Sequence, residues 1–386
     1  MKLALSDADA AFRAEMREFF TTEIPADIRD RMRAGRPRYP DDIVTTQRIL
    51  NAHGLAVPNW PVEWGGRDWS PLQRQIWSDE MQLAAVPEPL AFNANMVGPV
   101  IARFGSQQLK ERFLPPTANL DIWWCQGFSE PEAGSDLASL RTTAVRDGDS
   151  YVVNGQKTWT TLGQYADWIF LLARTDPDAP KRQAGISFLL ADMNTPGITL
   201  RPIKLIDGGH EVNEVFFEDV RIPADQLVGE ENHGWAYAKF LLSNERTGIA
   251  RIGATKLWLS QVKSRAAECG LLDDPLFAAR IAELENDLLA LELTQLRVSG
   301  SEGEGKPNPA SSILKLRGSQ LQQAVTELAV EVAGTDALPY AAGDDIASPE
   351  WAQLAAPRYL NYRKTSIYGG TNEVQRTIIA STILGL

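Results

Sequence analysis

The sequence is poor in the residues that disulfide, metal and nucleic-acid chemistry depend on. Two cysteines occur, Cys125 and Cys269, far apart and in no CxxC pattern. That excludes a disulfide framework and a zinc cluster, and a reducing, cytoplasmic setting is expected. The three histidines, His53, His210 and His233, are scattered, so no metal is expected. Lysine and arginine number 38 against 50 aspartates and glutamates, a formal charge of -12. With no basic surplus for phosphates, non-specific nucleic-acid binding is excluded, and a polyanionic ligand needs a local arginine or lysine site. No apolar run approaches the ~20 residues of a membrane span. The first residues, MKLALSDADAAFRAEM, lack a long apolar stretch and carry acids early, so they read as a helix start rather than a signal or transit peptide. No GxGxxG follows a strand, and GxxxxGK[ST] and GxSxG are absent, which removes the Rossmann, P-loop and serine-hydrolase readings.

What is present falls into three zones. A chain of 386 residues is too long for one ordinary core. Residues 1–122 read as helical: Ser6 with Asp9 resembles a capping box, and Phe12, Met16, Phe19 and Phe20 follow at helical spacing, with Pro115 and Pro116 ending the zone. Residues 123–228 read as strands. Asp147-Gly148-Asp149 and Asn154-Gly155 are hairpin-turn signals around Tyr151-Val152-Val153. Trp168–Ala173, Gly185–Leu190 and Glu214–Glu218 read as further strands, at the spacing of a small barrel or sandwich. Residues 229–386 are helical again. Ile281, Leu284, Leu288 and Leu291 share one face, with Glu283, Glu285 and Glu292 among the others, a pattern that suits helix-on-helix packing. Breaker-rich stretches run from Gly300 to Pro309 and from Gly334 to Pro349, and a last helix is expected from about Thr371. The expected fold is α+β, mainly α: an N-terminal helical domain, a middle β-barrel or sandwich and a C-terminal four-helix bundle.

Two segments carry the functional reading. Taken alone, Phe128–Asp136 is a polar turn between strands; functionally, it is a loop whose amides and hydroxyls line a ligand. In Gln156–Thr161 a strand tryptophan, Trp159, is flanked by threonines able to meet a polar ring edge.

The order of these pieces resembles the acyl-CoA dehydrogenase family over nearly the whole chain. The similar segments are FSEPEAGSD at 128–136, NGQKTWTT at 154–161, ADWIFLLART at 166–175, FFEDVRIP at 216–223, NERTGIA at 244–250 and IYGGTNEVQRTIIA at 367–380. The resemblance implies FAD between the β domain and the C-terminal bundle. It places Phe128, Ser129, Trp159 and Thr161 beside the isoalloxazine ring, with Thr371 and Glu373 near the flavin at a helix N-terminus, the positive end of a helix dipole. It places Ser135 against the acyl-CoA, Arg246 against the CoA moiety, and Gly369 and Gly370 in the substrate site.

The implied reaction removes an α-proton from a thioester while the β-hydrogen leaves as hydride to the flavin. The α-proton is weakly acidic and needs a carboxylate held in a dry site. Many family members carry that glutamate just before the final Gly-Thr; here the position is Gly369, which cannot be a base. A second subgroup, which includes long-chain, branched-chain and some steroid-side-chain enzymes, carries it on a bundle helix, at the position of Glu245. Alone, Glu245 reads as a solvated helix acid paired with Arg246 or Lys239; beside Gly369 it reads as the base. The glycine also leaves space, which points to a bulky acyl group.

Two departures concern assembly. Family homotetramers bind the ADP half of a neighbour's FAD through RxxFG-type and QxxGG-type motifs. Here the first region reads Cys269-Gly-Leu-Leu-Asp-Asp-Pro-Leu-Phe277, and the second begins at Glu331, where the family has glutamine. A carboxylate facing pyrophosphate is unfavourable. An α2β2 tetramer with a related chain is therefore expected, this chain resembling the large subunits of bacterial heteromeric members that act on dicarboxylyl- or steroid-side-chain-CoA; the competing arrangement is a homotetramer using Arg265 or Arg280. An electron-transfer flavoprotein is the expected acceptor. Other readings are a nitroalkane oxidase or monooxygenase-like flavoenzyme on this fold, which Glu245 argues against, and a non-catalytic partner subunit, which the intact flavin loop argues against.

Overall fold

A computed structural model describes residues 5–37, 39–299, 308–338 and 348–386; the side chains of 243–249 and 299 fall outside the description. Most of the Gly300–Pro309 stretch and much of Gly334–Pro349 also lie outside the described residues. The first zone folds as α1 (Asp7–Thr22), α2 (Ala26–Ala34), α3 (Pro40–Ala52), α4 (Pro71–Leu83), α5 (Gly98–Phe104) and α6 (Gln107–Ala118). Ser6 caps α1, accepting from the Asp9 amide at 3.1 Å. Pro115 and Pro116 sit in the last turn of α6, which runs on to Ala118. In that turn they forfeit only bonds to the carbonyls of Glu111 and Arg112, two exposed residues whose backbone water can serve.

The middle zone is a curled seven-stranded sheet: β1 (Trp124–Gly127), β2 (Thr143–Asp147), β3 (Ser150–Thr161), β4 (Trp168–Arg174), β5 (Ile186–Asp192), β6 (Ile198–Ile203) and β7 (Val212–Pro223). The strand order is β1-β4-β2-β3-β7-β6, with β5 paired to β4. Strand alternation divides β4 between two cores. Phe170 and Leu172 join the N-terminal helices, while Ile169, Leu171 and Ala173 fill the other face with Val153 and Val215. Asp147-Gly148-Asp149 makes the expected β2–β3 turn. Asn154-Gly155 does not turn the chain. It lies inside β3 at a register shift against β7. The asparagine is held there by reciprocal bonds with Asp219, and a Cβ on Gly155 would come within 2.5 Å of the Thr142 hydroxyl. The same chemistry that suits a hairpin turn thus serves a bulge.

The third zone contains α7 (Gly234–Ile249), α8 (Ile252–Glu268), α9 (Pro275–Ser299) and α10 (Ser311–Ala333), followed by α11 (Glu350–Gln353), α12 (Ala355–Tyr362) and α13 (Asn372–Ile379). Ile281, Leu288 and Leu291 of α9 are buried in the bundle core with Leu259, Leu314 and Leu321. Among the described residues no helix is long and apolar enough to cross a membrane.

One buried acid joins the first zone to the bundle. Burial, then the Glu292 charge, pushes the Asp79 carboxyl up to about 6, with Lys256, Gln75 and Arg13 pulling it back. Between the ordinary carboxylate range and pH 6 the folded chain keeps a proton that the unfolded chain releases. This group therefore lowers stability as pH rises through that window, and its full cost persists above it. Asp79→Asn is expected to raise the unfolding free energy at pH 7 by about 2 kcal/mol and to change it little at pH 4. Denaturant titration at the two pH values checks this; an equal effect at both would contradict it.

Candidate active site

The loop after β1 is fixed from below. Lys157, fully buried on β3, donates to the Phe128 carbonyl at 3.1 Å and to the Glu130 carboxylate at 2.7 Å. Glu130 also accepts from the amides of Arg141 (2.6 Å) and Thr142 (3.0 Å). Burial pushes the Lys157 ammonium down, and the Glu130 charge opposes that shift. Burial pushes Glu130 up, but Lys157 and the hydrogen bonds bring it below its ordinary range, so the pair is charged at neutral pH. The Phe128 ring is buried edge-on to Phe170 and Phe188. The Thr158 amide donates to the Ser129 carbonyl at 2.9 Å. Loop and strand therefore form one rigid piece.

Lys157→Met leaves Glu130 buried with its amide partners alone. It is expected to cost about 3 kcal/mol, the lower range for breaking a buried pair. Adding Glu130→Gln should restore much of that loss. Urea unfolding of the single and double variants checks it, and equal stabilities for Lys157→Met and the wild type would refute it.

Immediately after Lys157 the β3–β7 register shifts again, between Lys157 and Thr160. Trp159 is the extra residue, with φ 60, and its ring is 59% exposed. Trp159 thus presents a fixed, exposed indole between buried Thr158 and Thr160, in backbone that a bulky residue rarely adopts. Ser129 and Thr161 are half-buried, and Ser135 is exposed at the loop's far end.

The second group lies around the start of α13. Thr371 is its N-cap, accepting from the Val374 amide at 3.2 Å, as the sequence predicts for a helix starting there. Glu373 is exposed in the first turn. Gly369 and Gly370 have φ 64 and 82, a backbone that favours glycine, and the Gln375 side chain donates to both their carbonyls. Asn372 anchors the turn to α10 through Lys315 (3.0 Å) and Ser319 (3.1 Å). Among the described residues no hydrogen bond or ion pair joins this turn to the Phe128–Thr161 group. Glu245 and Arg246 fall within α7, and their side chains lie outside the described residues.

Sequence reasoning gave no part to Lys157, Glu130 or Asn372. No local signal marks this strand lysine as buried, since Thr158 and Thr160 of the same strand are buried polar residues too. The arginines considered as pyrophosphate donors are engaged within the chain. Arg280 pairs with Glu331 at 2.7 Å, and Arg265 pairs with Glu268 at 2.7 Å and lies over the Trp351 ring.

Three family models tile the chain: acyl-CoA dehydrogenase N-terminal domain at 6–121, middle domain at 125–220 and C-terminal domain at 232–384. The chain belongs to the acyl-CoA dehydrogenase family. It is similar to acyl-CoA dehydrogenase IpdE1 of Mycobacterium tuberculosis (strain ATCC 25618 / H37Rv), 37% identical over 97% of each chain. Among solved structures it resembles the Tcur3481-Tcur3483 steroid ACAD, with TM-score 0.87, 30% identity, and coverage of 100% of this chain and 99% of that one. It also resembles the ChsE4-ChsE5 complex from Mycobacterium tuberculosis, with TM-score 0.85, 32% identity and the same coverages. As an acyl-CoA dehydrogenase the chain is an FAD enzyme, and its residues fit the cofactor. The exposed Trp159 indole on a fixed strand offers a flat ring a face to pack on, and the α13 N-terminus offers amides and a positive dipole end.

Proposed function

We propose that this acyl-CoA dehydrogenase converts an acyl-CoA thioester to its trans-2-enoyl-CoA, with Glu245 on α7 removing the α-proton. The observation that carries the reading is paired: Gly369, in left-handed backbone, stands where many family members hold the glutamate, and Glu245 stands at the alternative place. Bound FAD supplies the acceptor for the β-hydride. Phe128, Ser129, Trp159 and Thr161 flank the flavin ring, with Thr371 and Glu373 at its other approach. Ser135, Arg246, Gly369 and Gly370 hold the substrate. The Lys157–Glu130 pair keeps the Phe128–Ser129 backbone from yielding as the ester binds. The steroid ACAD similarity and the absence of a side chain at Gly369 together favour a bulky, ring-derived acyl group. An electron-transfer flavoprotein reoxidises the enzyme, and the setting is cytoplasmic.

The test is optical. The purified flavoprotein, mixed anaerobically with a panel of straight-chain, branched and ring-bearing CoA esters, is expected to lose its visible flavin absorbance with at least one of them. A spectrum untouched by the whole panel would sink the reading.

Arg246 is expected to bind the non-reacting CoA portion. Arg246→Ala should therefore raise KM by about tenfold or more while kcat falls much less, because uniform binding appears in KM. Steady-state kinetics decide it: unchanged KM with strongly reduced kcat would assign Arg246 to the chemical step instead.

A further inference from the structure

Residues 204–211 connect β6 to β7, and the end of this segment lies against the end of β3, where Thr161 pairs with Val212. The Glu211 carbonyl accepts from the Leu162 amide at 2.7 Å, and the His210 carbonyl accepts from the Gln164 side chain at 3.2 Å. Leu162 directly follows Thr161. Its backbone is left-handed, at φ 56 and ψ 21, which is rare outside glycine. Its side chain packs with Ile43, Leu90, Leu120 and Trp123, next to the N-terminal helices. The tip of β3 is thus held in one unusual conformation from two sides.

The same segment bonds to the C-terminal bundle. The Glu211 carboxylate accepts from the Lys364 ammonium and, at 3.1 Å, from the Asn361 amide nitrogen. Asp207 accepts from Asn361 at 2.6 Å and from the Gly209 amide of its own loop at 2.9 Å. Asn361 belongs to α12, and Lys364 to the 3-10 turn Arg363–Ser366 that follows it. From α10, Gln323 donates to the carbonyls of Tyr362 and Arg363, and Arg363 donates back to the Gln323 carbonyl at 2.8 Å. The Lys364 carbonyl in turn accepts from the amides of Ile367 (2.9 Å) and Tyr368 (3.1 Å), and Gly369 comes next. Glu211 therefore bonds through its carbonyl to the chain beside Thr161, and through its carboxylate to the chain that leads into Gly369.

We propose that Glu211 is a positioning residue, which fixes the separation between the flavin-side end of β3 and the substrate-side turn at Gly369. This rests on the dehydrogenase reading and on the places it gives Thr161 and Gly369. Hydride transfer tolerates little misplacement, and an error of about 1 Å can cost ~10²-fold in rate. The Lys364 and Glu211 side chains are 31% and 36% exposed, so solvent screens the pair and its own share in stability is small. Its loss should therefore tell on rate more than on folding.

The experiment uses the holoprotein and the CoA ester of the panel that bleaches the wild type fastest. Glu211→Ala and Lys364→Met are each expected to lower kcat by about tenfold while KM moves less than about twofold, because a misplaced reactant loses the transition state rather than the bound ester. Lys364→Arg, which keeps the ion pair, should stay near the wild type. Hydrogen exchange adds a reading that needs no turnover: in Glu211→Ala the peptides carrying Leu162 and Tyr368 should both exchange faster. Unchanged kcat in Glu211→Ala and Lys364→Met would overturn the inference, and so would a rise in KM alone. A Lys364→Arg variant as slow as Lys364→Met would do the same, as would faster exchange in only one of the two peptides. In each of these cases wild-type bleaching leaves the dehydrogenase reading standing. If no ester bleached the wild type, that reading would fall and take this inference with it.

Discussion

Glu245→Gln is expected to keep its fold and its flavin spectrum and to lose at least ~10²-fold in turnover, the lower range for removing a positioned general base. The amide matches the carboxylate in shape, so the α7 backbone has no reason to move. Ala238 and Leu241 remain buried against the N-terminal core, and Ala250 against the bundle. What disappears is the group proposed to take the α-proton, and Gly369, at the other family position, carries no acid to replace it. Rapid mixing with a substrate ester separates the two effects: ester binding should perturb the flavin spectrum while bleaching slows. Near-normal bleaching would exclude Glu245 as the base. Gly369→Glu alone should not raise activity. It would put a second carboxylate into the site and force a side chain onto backbone at φ 64.

The second large effect concerns assembly. Expressed alone, the chain is expected to hold FAD at least ~10³-fold more weakly than with a related partner chain, since several charge-assisted hydrogen bonds of ~1.5–3 kcal/mol each are missing. The two arginines considered as substitutes are engaged within the chain. Arg280 is neutralised by Glu331, the residue standing where the family has glutamine, and Arg265 is held by Glu268. The ChsE4-ChsE5 structure is a complex of two named chains, which gives the proposed α2β2 arrangement a parallel. Flavin-to-protein ratio and native mass, measured with and without a co-expressed related chain, decide the matter. A homotetramer with one tightly bound FAD per chain would reject the heteromer.

The three-zone architecture was legible because periodicity changes twice, from helical spacing to alternation and back, and because turn residues cluster at both changes. The N-cap at Thr371 was legible for the same reason. Asn154-Gly155 was misread because one dipeptide serves both a tight turn and a bulge, and the choice between them depends on Asp219, a distant partner in sequence. Pro115 and Pro116 mark the end of the helical zone to within one turn, since α6 runs on from them only to Ala118. The Lys157–Glu130 pair escaped notice because nothing local shows a strand lysine to be buried; its burial follows from the sheet closing over it.

With Trp159 beside the flavin as proposed, the bulge that turns it outward would let the molecule report on its own cofactor. Of the 11 tryptophans, Trp159 alone is exposed; the others are buried or half-buried. A soluble collisional quencher should therefore reach one indole emitter in the flavin-free chain and lose it once the ring is covered. The shielded fraction of the fluorescence, followed against added FAD, then counts filled sites without any turnover.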